Sequence, residues 1–179
     1  MGYFAVVLAR HEDGWDANDI DLDEIDDLSD LADEMRDSSD LTDSDSTFLL
    51  FFEQEDAWFA VVRVDGEDDP RVFVSDSGAV EHSAYAEMLL EAAGGDVAAA
   101  LVADDLDEDA DESDVDDEEP DEPEELDSGP VGDSEVLSDL GTSSDALLQL
   151  CAKEGMLPSE VLTTLAEAAG AADALESVR

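Results

Sequence analysis

Two apolar runs stand almost back to back near the middle of the chain: "STFLLFFEQ" from Ser46 to Gln54 and "AWFAVVRV" from Ala57 to Val64. With Gln54, Glu55 and Asp56 at their junction, a tight turn and an antiparallel hairpin are predicted. Phe48 to Phe52 shows no alternation of polar and apolar residues, the pattern of a central strand covered on both faces. Next, "DGEDDP" is a second turn signal: Gly66 tolerates positive φ, and Pro70 closes the loop before "RVFVSD", a third hairpin-connected strand. The opening "GYFAVVLAR", Gly2 to Arg10, is short, β-branched and aromatic, and reads as a further strand.

Between the first two strands the period changes. Leu22, Ile25, Leu28, Leu31 or Ala32, and Met35 recur at spacings of three and four, predicting one apolar stripe on an otherwise acidic helix. A second helix is predicted from Ala79 to about Ala93, where Tyr85, Met88, Leu89 and Ala92 share a face and Gly94 and Gly95 supply a stop. "DVAAALVADDL" fits a short helix or a strand equally well. The order of strand, helix, three strands and helix predicts an α+β fold: a small antiparallel sheet of about four strands with helices packed on one side.

The 179 residues, 43% of them hydrophobic, suffice for one sizeable core, or one core plus a small helical module. Charge divides the chain. Residues 1 to 103 hold 28 acids against four arginines; residues 104 to 127 hold 17 acids and no base; residues 128 to 179 hold nine acids against two bases. The middle block, with Pro120 and Pro123 and no aromatic residue, cannot offset a backbone ordering cost of roughly 1–2 kcal/mol per residue. It predicts an acidic disordered linker over 104–130 between an α+β domain, 1–103, and a C-terminal segment, 131–179. In that segment three short helices are expected. Asp133 caps "SEVLSDL" before Gly141, Thr142 and Asp145 form a capping box ahead of "ALLQLCAKE" before Gly155, and Pro158 opens "SEVLTTLAEAA" before Gly170. Val136, Leu137, Leu140, Leu147, Leu148, Leu150, Leu157, Val161, Leu162 and Leu165 are more than isolated short helices can hide, so they must pack together, on the sheet, or on a partner.

A net charge of -48 disfavours free nucleic acid and anionic membrane surfaces and favours a basic protein partner. A chain from a high-salt cytoplasm would also be acidic, although that does not account for 17 acids in one short block. No apolar stretch approaches the length of a membrane span, the N-terminus lacks a secretory pattern, and the single Cys151 excludes an internal disulfide, so a reduced, cytoplasmic setting is expected.

Catalytic motifs do not assemble. Zinc deaminase chemistry needs a His/Cys set with a Glu shuttle, and this chain offers His11, His82 and one cysteine. "DLDEDADESD" spaces its acids like a calcium loop, yet the sixth residue from Asp107 is Glu112 where that loop requires glycine. No nucleophile elbow and no phosphate-binding glycine loop is present, and no catalytic, cofactor or metal residues are expected. An unrecognised carboxylate site, built on Glu53 or Glu55, is the enzymatic alternative. Arg10, Arg63 and Arg71 fall on strands; they and Trp58 are the candidate partner-binding residues, against the plainer expectation that each arginine pairs with nearby carboxylates and the tryptophan packs.

"GYFAVVLAR", "AWFAVVRVDGEDDPRVFVSD" and "GPVGDSEVLSDLGTSSDALLQLCAKEGMLPSEVL", with the acidic interruption between them, resemble the actinobacterial tRNA adenosine deaminase-associated proteins. The resemblance implies an association with the enzyme that makes inosine at the tRNA wobble position, and carries no catalytic residues with it. Together with the charge it predicts a non-enzymatic accessory protein whose basic partner is that deaminase; the alternative is an interaction module unrelated to tRNA modification.

Overall fold

The structure, a computed structural model, describes residues 2–38, 46–78, 83–94, 129–153 and 155–178. Six strands form one antiparallel sheet: β1 (Tyr3–His11), β2 (Gly14–Asp19), β3 (Thr47–Gln54), β4 (Trp58–Asp65), β5 (Arg71–Val74) and β6 (Val131–Gly132), in the order β2-β1-β3-β4-β5-β6. The fold is α+β as expected, with six strands in place of about four. The two unexpected strands are the edges. β2 carries Asp16, Asn18 and Asp19, poor strand formers that blunt an exposed edge. β6 is two residues long and is held by pairing with Phe73 and Val74.

The hairpins fall where the turns predicted them. Gly66 adopts φ 54°, and α1 (Leu28–Asp37) fastens that turn by donating from Arg36 Nε to the Gly66 carbonyl at 2.9 Å. α1 is shorter than its apolar stripe, because the Asp27 side chain accepts the Asp30 N–H at 2.9 Å and starts the helix there. Leu22 and Ile25 join the same core from the preceding loop. α2 spans Ala84–Gly94; the first residues of its expected range, 79–82, lie outside those described, as do "DVAAALVADDL" and residues 104–128 of the expected linker.

Strand alternation divides the sheet's side chains between two cores. On one face Val7, Leu50, Phe52, Ala60, Val62 and Val74 pack with Leu31 and Met35 of α1 and Leu89 of α2. On the other, Val6, Leu8, Leu49, Phe51, Val61 and Phe73 pack with Val136, Leu140, Leu147, Val161, Leu165 and Leu175. The two helices interleaved with the strands thus share one face, as expected, and of the three alternatives open to the C-terminal apolar residues packing on the sheet holds: that segment covers the second face. Its first expected helix is a 3-10 turn, Ser138–Leu140. α3 (Ser144–Ala152) is capped by Ser143, whose side chain accepts the Ala146 N–H at 3.3 Å, rather than by Thr142, which is buried. α4 (Pro158–Ala169) begins at its proline, and the chain adds an unexpected α5 (Ala172–Ser177). No helix among the described residues is long and apolar enough to cross a membrane.

The chain leaves the described residues at the end of α2 and returns at Gly129. Gly129 accepts the Ser77 N–H at 2.9 Å, three residues before Gly132, where a Cβ would stand 3.0 Å from that of Ala93. Departure and return share one edge of the sheet.

Candidate interaction surface

Alternation also separates the four candidate partner-binding residues. Arg10, Arg63 and Arg71 belong to the sheet face covered by the C-terminal segment, and Trp58 to the opposite one. Arg63 has only 8% of its side chain exposed. Its Nε donates to Asp65 Oδ2 at 2.8 Å, Nη1 to the Val136 carbonyl at 3.0 Å, and both terminal nitrogens to Asp139, with Nη2–Oδ2 at 2.9 Å. Arg71 donates from Nε to Asp133 Oδ2 at 2.6 Å and from Nη2 to the Glu135 carbonyl at 3.1 Å. The Arg63 hydrogen bonds hold the Asp139 carboxyl below its ordinary range against the effect of burial. Burial pushes Asp133 up, but the Arg71 hydrogen bond, the Glu135 N–H and both guanidinium charges outweigh it and leave it lowered.

These two arginines thus hold the segment that follows Gly132 onto the sheet. Arg10 is exposed, with its guanidinium 6.0 Å from the centre of the Trp15 ring, and Trp15 in turn donates from Nε1 to the Ala169 carbonyl at 3.1 Å. Trp58 is 4% exposed and packs against Phe52 with ring centres 4.9 Å apart.

A groove of about 550 Å³ opens where the β3–β4 turn, the residues after β5, and α3 and α4 converge. Phe59, Leu148, Leu150, Met156 and Val161 line it, and Asp56 and Asp76 bring carboxylates to it. Asp56 is placed by an unusual turn: it and Glu55 adopt φ of 56° and 55°, and the Ala57 N–H closes the turn on the Gln54 carbonyl at 3.0 Å. Left-handed conformation at both central positions matches the twist of a two-stranded hairpin, at some cost for residues other than glycine or asparagine. The large hydrophobic side chains left exposed among the described residues are here or beside it: Leu148, 39% exposed, lines the groove, and Leu157, 47% exposed, sits between the groove residues Met156 and Pro158.

Cys151 also lines the groove, but burial pushes its thiol up to about 11, leaving little thiolate near neutral pH. Ser75 accepts the Phe59 N–H at 2.9 Å through its hydroxyl. His11 sits at the β1–β2 turn, 3.3 Å from Asp16, away from both; His82 lies outside the described residues. Among the described residues no three His, Cys, Asp or Glu side chains gather as a metal site would require. Glu55, one carboxylate of the enzymatic alternative, is exposed at the hairpin tip. Sequence reasoning missed Asp133 and Asp139 as arginine partners, and missed the groove. One signal for the groove was present: the ten apolar residues from Val136 to Leu165 exceed what short helices bury, and Leu148 and Leu157 are those left over.

The fold and this surface define an acidic α+β protein with both sheet faces covered and one apolar groove edged by carboxylates. The chain belongs to the family of Rv3753c-like tRNA adenosine deaminase-associated proteins, whose family model matches residues 3–172. That description is of association with a deaminase, not of a deaminase. No curated protein and no solved structure matches the chain.

Proposed function

We propose that this protein is a non-enzymatic accessory protein that binds the tRNA adenosine deaminase named in its family's description and acts by protein–protein contact. The observation that carries the reading is charge: -48 overall, 17 acids of it in residues 104 to 127, in a chain whose family is associated with a tRNA-modifying enzyme. An enzyme that grips tRNA needs a basic surface, and an acidic partner complements that surface, covering it or keeping it soluble until RNA displaces the cover. The acidic block raises the encounter rate, and the folded residues supply the specific contact. Of the four residues singled out on the strands, Arg10 is the exposed one, whereas Arg63 and Arg71 spend their donors within the chain.

The test is affinity capture of the tagged full chain from its own cytoplasm at low and at moderate salt. Near-stoichiometric recovery of the deaminase is expected, falling steeply with salt and on deletion of residues 104–127, because charges more than about 8–10 Å apart are screened at physiological ionic strength. Recovery of unrelated proteins, or of none, overturns the reading. Salt-insensitive capture by the deleted chain removes the acidic block from it.

A further inference from the structure

We propose that the groove beside the β3–β4 turn docks a short amphipathic, basic segment of the partner, with apolar side chains on Phe59, Leu148, Met156 and Val161 and a lysine or arginine at Asp56 and Asp76. This rests on the reading above, that the protein works by binding a basic partner, and names the surface and the chemistry it selects. The volume, about 550 Å³, suits a few side chains rather than a whole domain face. Among the described residues no cationic side chain lines the groove. The chain's single lysine, Lys153, is exposed one residue beyond the groove-lining Ala152 on the α3 side, so the acidic lip is the hairpin side and the bound segment points its positive end there.

Charge also selects among occupants. Residues 104–127 of the same chain would bring 17 acids toward Asp56 and Asp76, and a second copy would bring another -48. A nucleic acid or an anionic lipid surface meets the same repulsion. A cationic amphipathic peptide satisfies both the apolar floor and the carboxylates.

The experiment titrates the isotope-labelled full chain with a synthetic helical peptide of leucine and lysine, and with its leucine–glutamate counterpart, following amide shifts. Saturable shifts at Leu148, Met156 and Val161 are expected with the lysine peptide and none with the glutamate peptide. Asp56→Lys with Asp76→Lys should weaken binding by about tenfold or more, and Leu148→Asp should abolish the groove shifts. All three positions are at least partly exposed, but Asp56 stands at φ 56° and Asp76 Oδ1 accepts the Gly78 N–H at 2.8 Å, so the amide spectrum of each variant away from the groove must match that of the unaltered chain before its binding is compared.

Shifts confined to residues outside the groove, equal binding of both peptides, or a dimer that Leu148→Asp dissociates would each overturn the proposal. A second arm repeats deaminase capture with Leu148→Asp. If the unaltered chain captures the deaminase and the variant does so equally, the groove assignment fails while the functional reading stands. If the lysine peptide fills the groove but the unaltered chain captures no deaminase, the functional reading fails and the groove's chemistry stands.

Discussion

The two faces of the sheet are built from the same strands by the same alternation, yet they are finished with opposite chemistry. Beside the exposed Arg36–Asp33 pair within α1, the face under α1 and α2 is trimmed by phenols: Tyr85 donates to Asp23 Oδ1 at 2.5 Å and Tyr3 to Asp21 Oδ1 at 3.2 Å, while their rings lie 5.2 Å apart. The face under the C-terminal segment is trimmed by guanidinium groups, Arg63 on Asp65 and Asp139 and Arg71 on Asp133. In a chain this acidic the difference matters. A phenol holds a carboxylate by lending it a proton and adds no charge, whereas a guanidinium cancels a negative charge and gains from every acid around it. The first cover comes from helices interleaved with the strands. The second arrives only after residues 95–128, and its first turn is fastened where it lands.

The largest test of the comparison is a matched pair, Phe51→Ala and Phe52→Ala. Both side chains are fully buried and adjacent in β3, and they enter opposite cores. Each should lose about 3–5 kcal/mol in urea unfolding. Hydrogen exchange tells the faces apart: Phe51→Ala should expose α3 to α5 first, Phe52→Ala α1 and α2. Identical exchange patterns would mean that the two covers unfold as one cooperative unit. Next in size is Gly132→Ala. At φ 101° a Cβ would fall 2.2 Å from the Val72 carbonyl, so β6 must part from β5 or distort. A loss on the order of 2–3 kcal/mol is expected, with protection falling in residues 133–140 and remaining in α1. A neutral result would show that the landing strand contributes little to holding the second cover.

Much of this was legible. The hairpin of β3 and β4, the Gly66 turn, β1, β5 and the apolar stripe through Met35 follow from local pattern, because each depends on residues close in sequence. The unalternating run Phe48–Phe52 even demanded two covered faces, although the helices read beside it account for one. What escaped depends on distance. β2 looks like a loop because Asp16, Asn18 and Asp19 are turn-formers until β1 lies alongside to pair with them. β6 exists only through its pairing with Phe73 and Val74. Arg63 meets Asp139 across 76 positions, a pairing that no spacing rule encodes. The groove joins a hairpin tip, the end of β5 and two later helices, and in sequence shows only as leucines in excess.

A smaller effect isolates the guanidinium side. Asp139→Asn leaves Arg63 with Asp65 as its remaining ionic partner; because Asp139 is 56% exposed, solvent already screens the pair and a loss of about 1 kcal/mol is expected at neutral pH. The pH dependence is sharper than the magnitude. Asp139 and Asp133 are lowered in the folded chain, so their contribution is fully present above the ordinary carboxylate pKa of about 4 and is lost as pH falls through the lowered values. Asp139→Asn should flatten that acid limb of the stability curve. An unchanged limb would place the acid sensitivity elsewhere among the carboxylates.

The smallest effect lies on the other face and at the other end of the pH scale. Tyr85→Phe removes one hydrogen bond to an exposed carboxylate and should cost about 0.5–1 kcal/mol. Its hydrogen bond to Asp23, then burial, then the Asp23 charge raise the Tyr85 pKa well above the ordinary phenol value. The sign is therefore reversed: a raised phenol contributes fully below about pH 10 and loses its contribution as pH rises beyond that. Urea unfolding of the unaltered chain and of Tyr85→Phe between pH 8 and 11 should converge as the phenol ionises in the unfolded chain while the folded chain still holds its proton, whereas Asp139→Asn should keep a constant offset there. If Tyr85→Phe also keeps a constant offset, the phenol does not titrate with unfolding, and the opposition between an acid-sensitive and a base-sensitive face reduces to its acid half.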